Sequence, residues 1–432
     1  MTRLVYSISL YLSLPFFIAR LLWRGIRNRG YRQRIGERFG FPPSARKRIS
    51  SAIDRKTIWI HAVSLGEVQA AIPIIEALRE RHAGVSVIVT TTTPTGMEHV
   101  VRVFGDGVVH RYLPFDLPGA VASFLRDIRP HAGVIMETEI WPNLLAACQR
   151  QRIPMMLANA RLSERSAKGY RRLPSLFIPA MRRFSWICAQ SEHDAQRLQS
   201  IGASADAIEV GGNTKFDLRL PDDLTERASR LRSAWGSERG VLVAASTHEG
   251  EEEQVLEAFE AALARHPKTL LVLVPRHPER FQAVAALVES RKFTLTKRSH
   301  PDDDGSGSQV FLVDSMGELP LFLAACDIAF IGGSLVEVGG HNSLEAAAVG
   351  RPVLFGPHLF NFAGISQELI AAGAAKRVCD AKALGREVVA WLDNPQRRQD
   401  AGERGRAFVA ANQGASDRIV ARIERLAGLD RG

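Results

Sequence analysis

Two stretches of this chain, 58–189 and 241–355, alternate short apolar runs with longer segments whose apolar positions recur at helical spacing. In the first stretch the runs at 58–63, 86–92, 133–136, 155–158 and 186–189 read as strands, and 67–81 and 95–104 as helices. In the second, strand-like runs fall at 241–245, 270–274, 310–313, 328–331 and 353–355. Strands that alternate with helices predict parallel sheets covered on both faces. The pattern therefore predicts an α/β protein of two doubly wound, Rossmann-like domains with a cleft between them. A helical pattern rich in Arg and Ala, 396–426, closes the chain and is expected to pack back on the first domain.

The segment 4–23, LVYSISLYLSLPFFIARLLW, is apolar apart from Arg20 and about long enough to cross a bilayer core. Arg24, Arg27, Arg29, Arg32, Arg34 and Arg38 follow it, and such a cluster stays on the cytoplasmic side. The segment ends in Arg-Leu-Leu-Trp-Arg instead of a small-residue cleavage site, so it reads as an uncleaved membrane-anchor helix over 1–24. Pro15 and Arg20 leave room for a helix lying in the membrane interface instead. The expected domains are then 25–220 and 221–432, the second including the C-terminal helices, with polar stretches at 42–56 and 217–237.

Composition narrows the partners. At 432 residues, 46% hydrophobic and 24% charged, there is chain enough for two full cores. A net charge of +10 calls for an anionic partner: nucleic acid, a membrane surface or a phosphorylated substrate. No basic stripe with interleaved aromatics and no nucleic-acid module accompanies that charge, so no nucleic-acid partner is expected. Cys148, Cys188, Cys326 and Cys379 lie far apart without CxxC spacing, which predicts neither a disulfide framework nor a zinc site.

The stretch IGGSLVEVGGHNSLEAAAVGRPVLFGP, 331–357, reads as strand, glycine loop, helix over 343–349, and strand. Its two glycine pairs let backbone approach a ligand closely. The helix that opens beside His341 and Asn342 points free N–H groups at whatever lies beyond the strand, which suits a phosphate, and Glu345 is placed to hold a ribose diol. Other motifs also fall at strand ends. HAVSLGE, 61–67, puts Gly66 and Glu67 at the start of a helix, where a Ser64–Glu67 capping box is the structural alternative. ETEIWPN, 137–143, supplies Glu137 and Glu139, and GNTKFD, 212–217, supplies Lys215. Arg276 and His277 offer a fixed cation and a donor to an anionic ligand. The turn DSMGEL, 314–319, carries Met316, Gly317 and Glu318. STHEG, 246–250, is followed by Glu251, Glu252 and Glu253, which read as simple complements to a helix dipole.

Taken in order, HAVSLGE, ETEIWPN, NARLS (159–163), GNTKFD, PRHPER (275–280), MGEL (316–319) and GGHNSLE resemble the 3-deoxy-D-manno-oct-2-ulosonic acid (Kdo) transferases of lipopolysaccharide biosynthesis. The resemblance implies the GT-B glycosyltransferase fold and transfer of Kdo from CMP-Kdo to the lipid A precursor, lipid IVA. It implies an inverting single displacement without metal or other cofactor, at the cytoplasmic face of the inner membrane. The acceptor would be bound by 25–220. CMP would be held in 221–432 by Arg276, His277, Met316, Gly317, Glu318, Asn342, Ser343, Leu344 and Glu345.

Breaking the bond from Kdo to CMP develops positive charge on the sugar and negative charge on the phosphate, and fixed groups of opposite sign stabilise each. Glu139, with Glu137 as the alternative, and Lys215 are expected in those roles. A sugar hydroxyl needs a base, and Glu67 is the carboxylate in the turn after the first strand; His61 is its rival. The N-terminal arginines are expected to face anionic lipid, and removal of 1–24 to leave the chemistry on dispersed acceptor intact. The alternative activity is that of another membrane-associated GT-B nucleotide-sugar transferase of envelope synthesis, which would not call for HAVSLGE with ETEIWPN. A metal-dependent transferase would need Asp-x-Asp at a strand end, and the run Asp302-Asp303-Asp304 reads as solvated loop.

Overall fold

A computed structural model describes residues 2–41, 55–300 and 305–429. Most of the expected linker at 42–56 and the run at 302–304 lie outside the described residues. The chain divides into two compact units, one of residues 1–217 with 413–432 and one of 218–412.

The first unit is built on a seven-stranded parallel sheet: β1 (Thr57–His61), β2 (Ser86–Thr91), β3 (Val109–Tyr112), β4 (Ala132–Met136), β5 (Met155–Ala160), β6 (Trp186–Ala189) and β7 (Ile208–Val210), in the order β3-β2-β1-β4-β5-β6-β7. Strand residues alternate in direction, so the central strands feed two cores. Ile58 and Ile60 of β1 join the core under the helix Leu65–Arg81, whereas Trp59 joins the opposite one and meets Phe124 edge-on, with ring centroids 5.4 Å apart. Chain order reverses between β1 and β4, and a crevice for ligands opens at such a point, beyond the carboxyl ends of the strands.

The second unit repeats this plan with β8 (Val241–Thr247), β9 (Leu270–Pro275), β10 (Leu295–Lys297), β11 (Val310–Leu312), β12 (Ile328–Ile331), β13 (Val353–Phe355) and β14 (Ala375–Arg377), in the order β10-β11-β9-β8-β12-β13-β14. Its reversal lies between β8 and β12, which pair directly from Ile328 with Leu242 to Ile331 with Ala245.

Two expectations about the chain ends change. The closing helical pattern is two helices, Pro395–Ala411 and Ala415–Ala427; the second packs back on the first unit as expected and so belongs to it, not to 221–432. Its Ile419, Val420 and Ile423 enter the core beside the helix Leu65–Arg81. The Asp217 carboxylate accepts the Gly414 and Ser416 N–H groups at 2.6 Å each, which caps that helix with the residue that ends the first pass of the chain. Arg422 pairs with Glu209 at 2.8 Å and lies 3.8 Å over the Trp186 ring, adding a second clamp.

The N-terminal segment is likewise not one anchor helix. It forms Arg3–Leu12 and Leu14–Arg27, bent by 52° at Ser13, and no single helix among the described residues is long and apolar enough to cross a membrane. Pro15 explains the break, since its ring starts the second helix without an N–H for the first. Leu4, Val5, Ile8, Tyr11, Leu12, Phe16, Leu22, Trp23 and Ile26 are exposed. The other face is docked: Phe17 stacks on Phe115 at 5.3 Å, and Ser7 donates to Asn143 Oδ1 at 3.0 Å. The arginine cluster also divides. Arg24, Arg27, Arg29 and Arg32 are exposed, but Arg38 is buried against the Tyr112 ring at 4.1 Å, and Arg34 forks onto Glu37 at 2.6 and 2.8 Å.

Candidate active site

In the first unit, β1 delivers Glu67 and β4 delivers Glu137 and Glu139, on either side of the reversal. The helix Leu65–Arg81 begins after Ser64, and Glu67 turns back so that its carboxylate accepts the Val63 N–H at 2.8 Å and the Ser64 hydroxyl at 3.2 Å. The expected Ser64–Glu67 capping box is not formed: Glu67 takes the N–H of Val63 instead of that of the cap residue Ser64, and the Ser64 side chain does not return a bond to the helix. Burial drives the Glu67 carboxyl up to about 7, opposed by the Val63 N–H and reinforced by the charges of Glu137 and Glu139. A carboxylate that titrates near neutrality is matched to accepting a proton from a hydroxyl.

His61, the rival base, is fully buried. Its Nδ1 sits 2.9 Å from the Thr90 hydroxyl and 3.1 Å from the Thr90 carbonyl, and burial pulls the imidazole down to about 4. It is a packed, neutral residue of the sheet.

Glu137 takes a left-handed backbone, φ 58°, and its carboxylate accepts from Arg161 Nε at 2.6 Å. Arg161 lies in NARLS, a motif to which sequence reasoning gave no role. Burial pushes the Glu139 carboxyl up, and the charge of Glu137 adds to this. Lys215 follows β7 on a short turn; burial lowers its ammonium, Glu137 opposes that shift and Arg161 adds to it. The five groups Glu67, Glu137, Glu139, Arg161 and Lys215 thus share one electrostatic neighbourhood.

In the second unit, β8 and β12 play the same parts. Gly332 backs onto the Ser246 carbonyl, where a Cβ would come within 2.6 Å, and Gly333 takes φ 66°. The loop so formed is held by Glu251, which is fully buried. Its carboxylate accepts N–H groups from Gly333 at 2.7 Å, Ser334 at 3.0 Å and Leu335 at 2.9 Å, and from His248 at 3.2 Å. Glu251 is therefore the anchor of the glycine loop and not a solvated complement to a helix dipole. Its signal lay in its place, directly after STHEG at a strand end.

That finding alters the expected phosphate seat. The helix after the loop is only Leu344–Ala348, too short for a useful dipole, and the loop N–H groups already face Glu251. Asn342 instead organises the turn, accepting from the Leu344 N–H at 3.1 Å and donating to Glu345 at 3.1 Å, while Ser343 and Leu344 are buried. The exposed cationic side falls to the ends of β8 and β9. There Arg276 donates its N–H to the Thr247 carbonyl at 3.0 Å, and the His277 ring stands edge-on to His248, centroids 5.3 Å apart. In the turn after β11, Met316 is exposed, Gly317 has φ 87° and Glu318 pairs with Arg298 at 2.9 Å. Among the described residues no group of three or more His, Cys, Asp or Glu side chains could hold a metal ion.

Residues 33–218 match the family described as 3-Deoxy-D-manno-octulosonic-acid transferase (kdotransferase), and residues 241–408 match the family Glycosyl transferases group 1. A Haemophilus influenzae protein named 3-deoxy-D-manno-octulosonic acid transferase is 40% identical over 421 residues, 97% of either chain. The chain belongs to the 3-deoxy-D-manno-octulosonic acid transferase family. A Bordetella pertussis protein of the same name is 40% identical over 378 residues, 85% of this chain and 86% of that one. The fold is shared with a crystal structure of a glycosyltransferase from Rickettsia africae, at 14% identity and TM-score 0.54 over 86% of this chain and 99% of that one. The chain is a glycosyltransferase of GT-B type with two parallel-sheet α/β units, and Glu67, Glu139 and Lys215 all fall in the stretch matched to the Kdo transferases.

Proposed function

We propose that this protein moves Kdo from CMP-Kdo to the lipid A precursor, lipid IVA, by an inverting single displacement that uses no metal, at the cytoplasmic face of the inner membrane. The observation that carries the reading is Glu67: a half-buried carboxylate raised to about 7 beside Glu137 and Glu139, in a unit matched to Kdo transferases. Glu67 would take the proton of the attacking sugar hydroxyl. Glu139 would face the positive charge that develops on Kdo, and Lys215 the negative charge on the departing phosphate. In the second unit Arg276, His277, the Met316–Gly317–Glu318 turn and residues Asn342 to Glu345 would hold CMP. The bent N-terminal helix pair would lie in the membrane interface, apolar stripe down, with Arg24, Arg27, Arg29 and Arg32 on anionic headgroups.

Incubating the purified protein with lipid IVA in detergent and either CMP-Kdo or UDP-sugars tests this directly. Product mass should rise by Kdo units with CMP-Kdo alone, with or without a chelator. Transfer from a UDP-sugar, or loss of transfer on chelation, would replace the reading.

A further inference from the structure

His248 and His341 lie outside every role assigned so far, yet they face each other in the second unit. Their Nε2 atoms are 2.7 Å apart, their ring centroids 5.0 Å apart and their planes within 6°. Those three values fit only rings that meet head to head in one plane, nitrogen to nitrogen. An N–H···N bond of this kind contains a single proton, supplied either by opposite tautomers of two neutral imidazoles or by one imidazolium. The two histidines therefore titrate as one unit.

The surroundings decide which form is present. Around His248 stand His277, Arg276 and Arg280, and around His341 stand His248, Arg276 and His277. The nearby carboxylates are already engaged. Glu251 holds the glycine loop and the His248 N–H, and Glu252 and Glu249 pair with Arg280 at 2.9 and 3.5 Å. Burial first, and these cations second, hold both imidazoles below their usual range, His341 at about 4. The pair is neutral; Arg280 is matched by Glu252 and Glu249, and Glu279 lies 3.9 Å from His277, which leaves Arg276 as the guanidinium facing the pair without an ion pair among the described residues. A nucleotide phosphate carries close to two negative charges at neutral pH, and beside Arg276 it would reverse the field at the pair.

We infer that His248 and His341 form one proton-storing unit of the donor site, which takes a proton from solvent when a nucleotide phosphate binds beside Arg276 and returns it when the nucleotide leaves. The inference rests on the donor-site reading above and deepens it. The protonated pair adds a positive charge next to the phosphate only while the phosphate is there, so the empty site is spared that repulsion. Both rings are held for this: Gly333 lies against His341, where a Cβ would come within 3.1 Å of the ring, and His248 is tied through its N–H to Glu251.

The test is calorimetric titration of CMP into the full-length protein between pH 6.5 and 8.5, in two buffers of different ionisation enthalpy. Above pH 6.5 the phosphate's own second ionisation interferes least. The wild type should take up about one proton per CMP near neutral pH, and its affinity should strengthen as pH falls. His248→Asn and His341→Asn should each abolish the uptake and flatten the pH dependence, with CMP bound about tenfold more weakly at pH 6.5. Nitrogen-15 NMR of histidine-labelled wild type gives the same answer without a variant: on adding CMP, two imidazoles should move together from the neutral to the imidazolium pattern. Binding of CMP without proton uptake, uptake unchanged in both variants, or histidine signals unmoved by CMP would overturn the inference and leave the donor site standing. Failure of the wild type to bind CMP at all would overturn the donor-site reading, and this inference with it.

Discussion

Arg161 Nε lies 2.6 Å from a Glu137 carboxylate oxygen, which assigns different work to two acids only two positions apart. Glu137 is committed to that pair and to a left-handed backbone, so in the proposed mechanism Glu139 is the acid that would meet the substrate. Glu139→Gln is expected to lower kcat/KM by more than about tenfold with little change in Tm. The Arg161 side chain is more than half exposed, so Arg161→Ala should cost no more than about 1 kcal/mol of stability. Equal kinetic losses from Glu137→Gln and Glu139→Gln, at equal Tm, would reverse the assignment.

Glu67 should write its ionisation into the rate. In the proposed role of base it would work only when deprotonated, so kcat/KM should rise with pH through about 7, where its carboxyl titrates. Glu67→Gln should remove that limb and lower kcat at least about a hundredfold. Stability runs the other way. A carboxyl raised in the folded state favours the protonated form, so its contribution is full below the ordinary carboxyl range and is lost as pH rises through about 7. Glu67→Gln should therefore leave Tm unchanged or higher at pH 8. A folded Gln variant with normal turnover would return the role of base to Glu139 or His61.

The central strands were legible because strands buried on both faces must be apolar throughout. The four that escaped, β3, β7, β10 and β14, are the four sheet edges. An edge strand has a neighbour on one side only and tolerates polar residues, so β3 reads Val-His-Arg-Tyr and β14 Ala-Lys-Arg, with no pattern to find. The same divide runs through the site. Glu67, Glu139 and Lys215 stand at strand ends, which local sequence marks. Arg161 with Glu137, Glu251 with Gly333, and His248 with His341 are pairings made by strand order, and no local pattern encodes which strands become neighbours.

Removing the Glu251 carboxylate should release the glycine loop. Glu251→Gln keeps the shape but loses one acceptor oxygen and the charge that draws three loop N–H groups together. Hydrogen bonds to a charged group are worth about 1.5–3 kcal/mol each, so a loss on the order of 3 kcal/mol in stability is expected, with weaker CMP binding measured by calorimetry. Wild-type Tm in this variant would show that the loop holds itself.

The N-terminal helices should matter to catalysis, against the expectation that 1–24 is only an anchor. Asp116 is buried after β3, and its carboxylate caps the helix Pro142–Arg150 by accepting the Asn143 and Leu144 N–H groups at 2.9 and 2.7 Å. Tyr6 hydrogen-bonds the same carboxylate, and Ser7 reaches Asn143 from the same turn. Asn143 closes the ETEIWPN loop that carries Glu139, so the helix Arg3–Leu12 braces the loop from outside. Each bond is worth about 1 kcal/mol, and Tyr6→Phe with Ser7→Ala should together lower stability by about 2 kcal/mol. The double variant keeps every exposed apolar residue and arginine of the segment, and so preserves the surface proposed to face the membrane. In detergent with dispersed acceptor it should lose several-fold in kcat at unchanged CMP affinity, and deletion of 2–24 should lose more. Full activity of the deletion in detergent would make the segment an anchor and nothing else. A double variant that is destabilised but turns over normally would separate docking from catalysis.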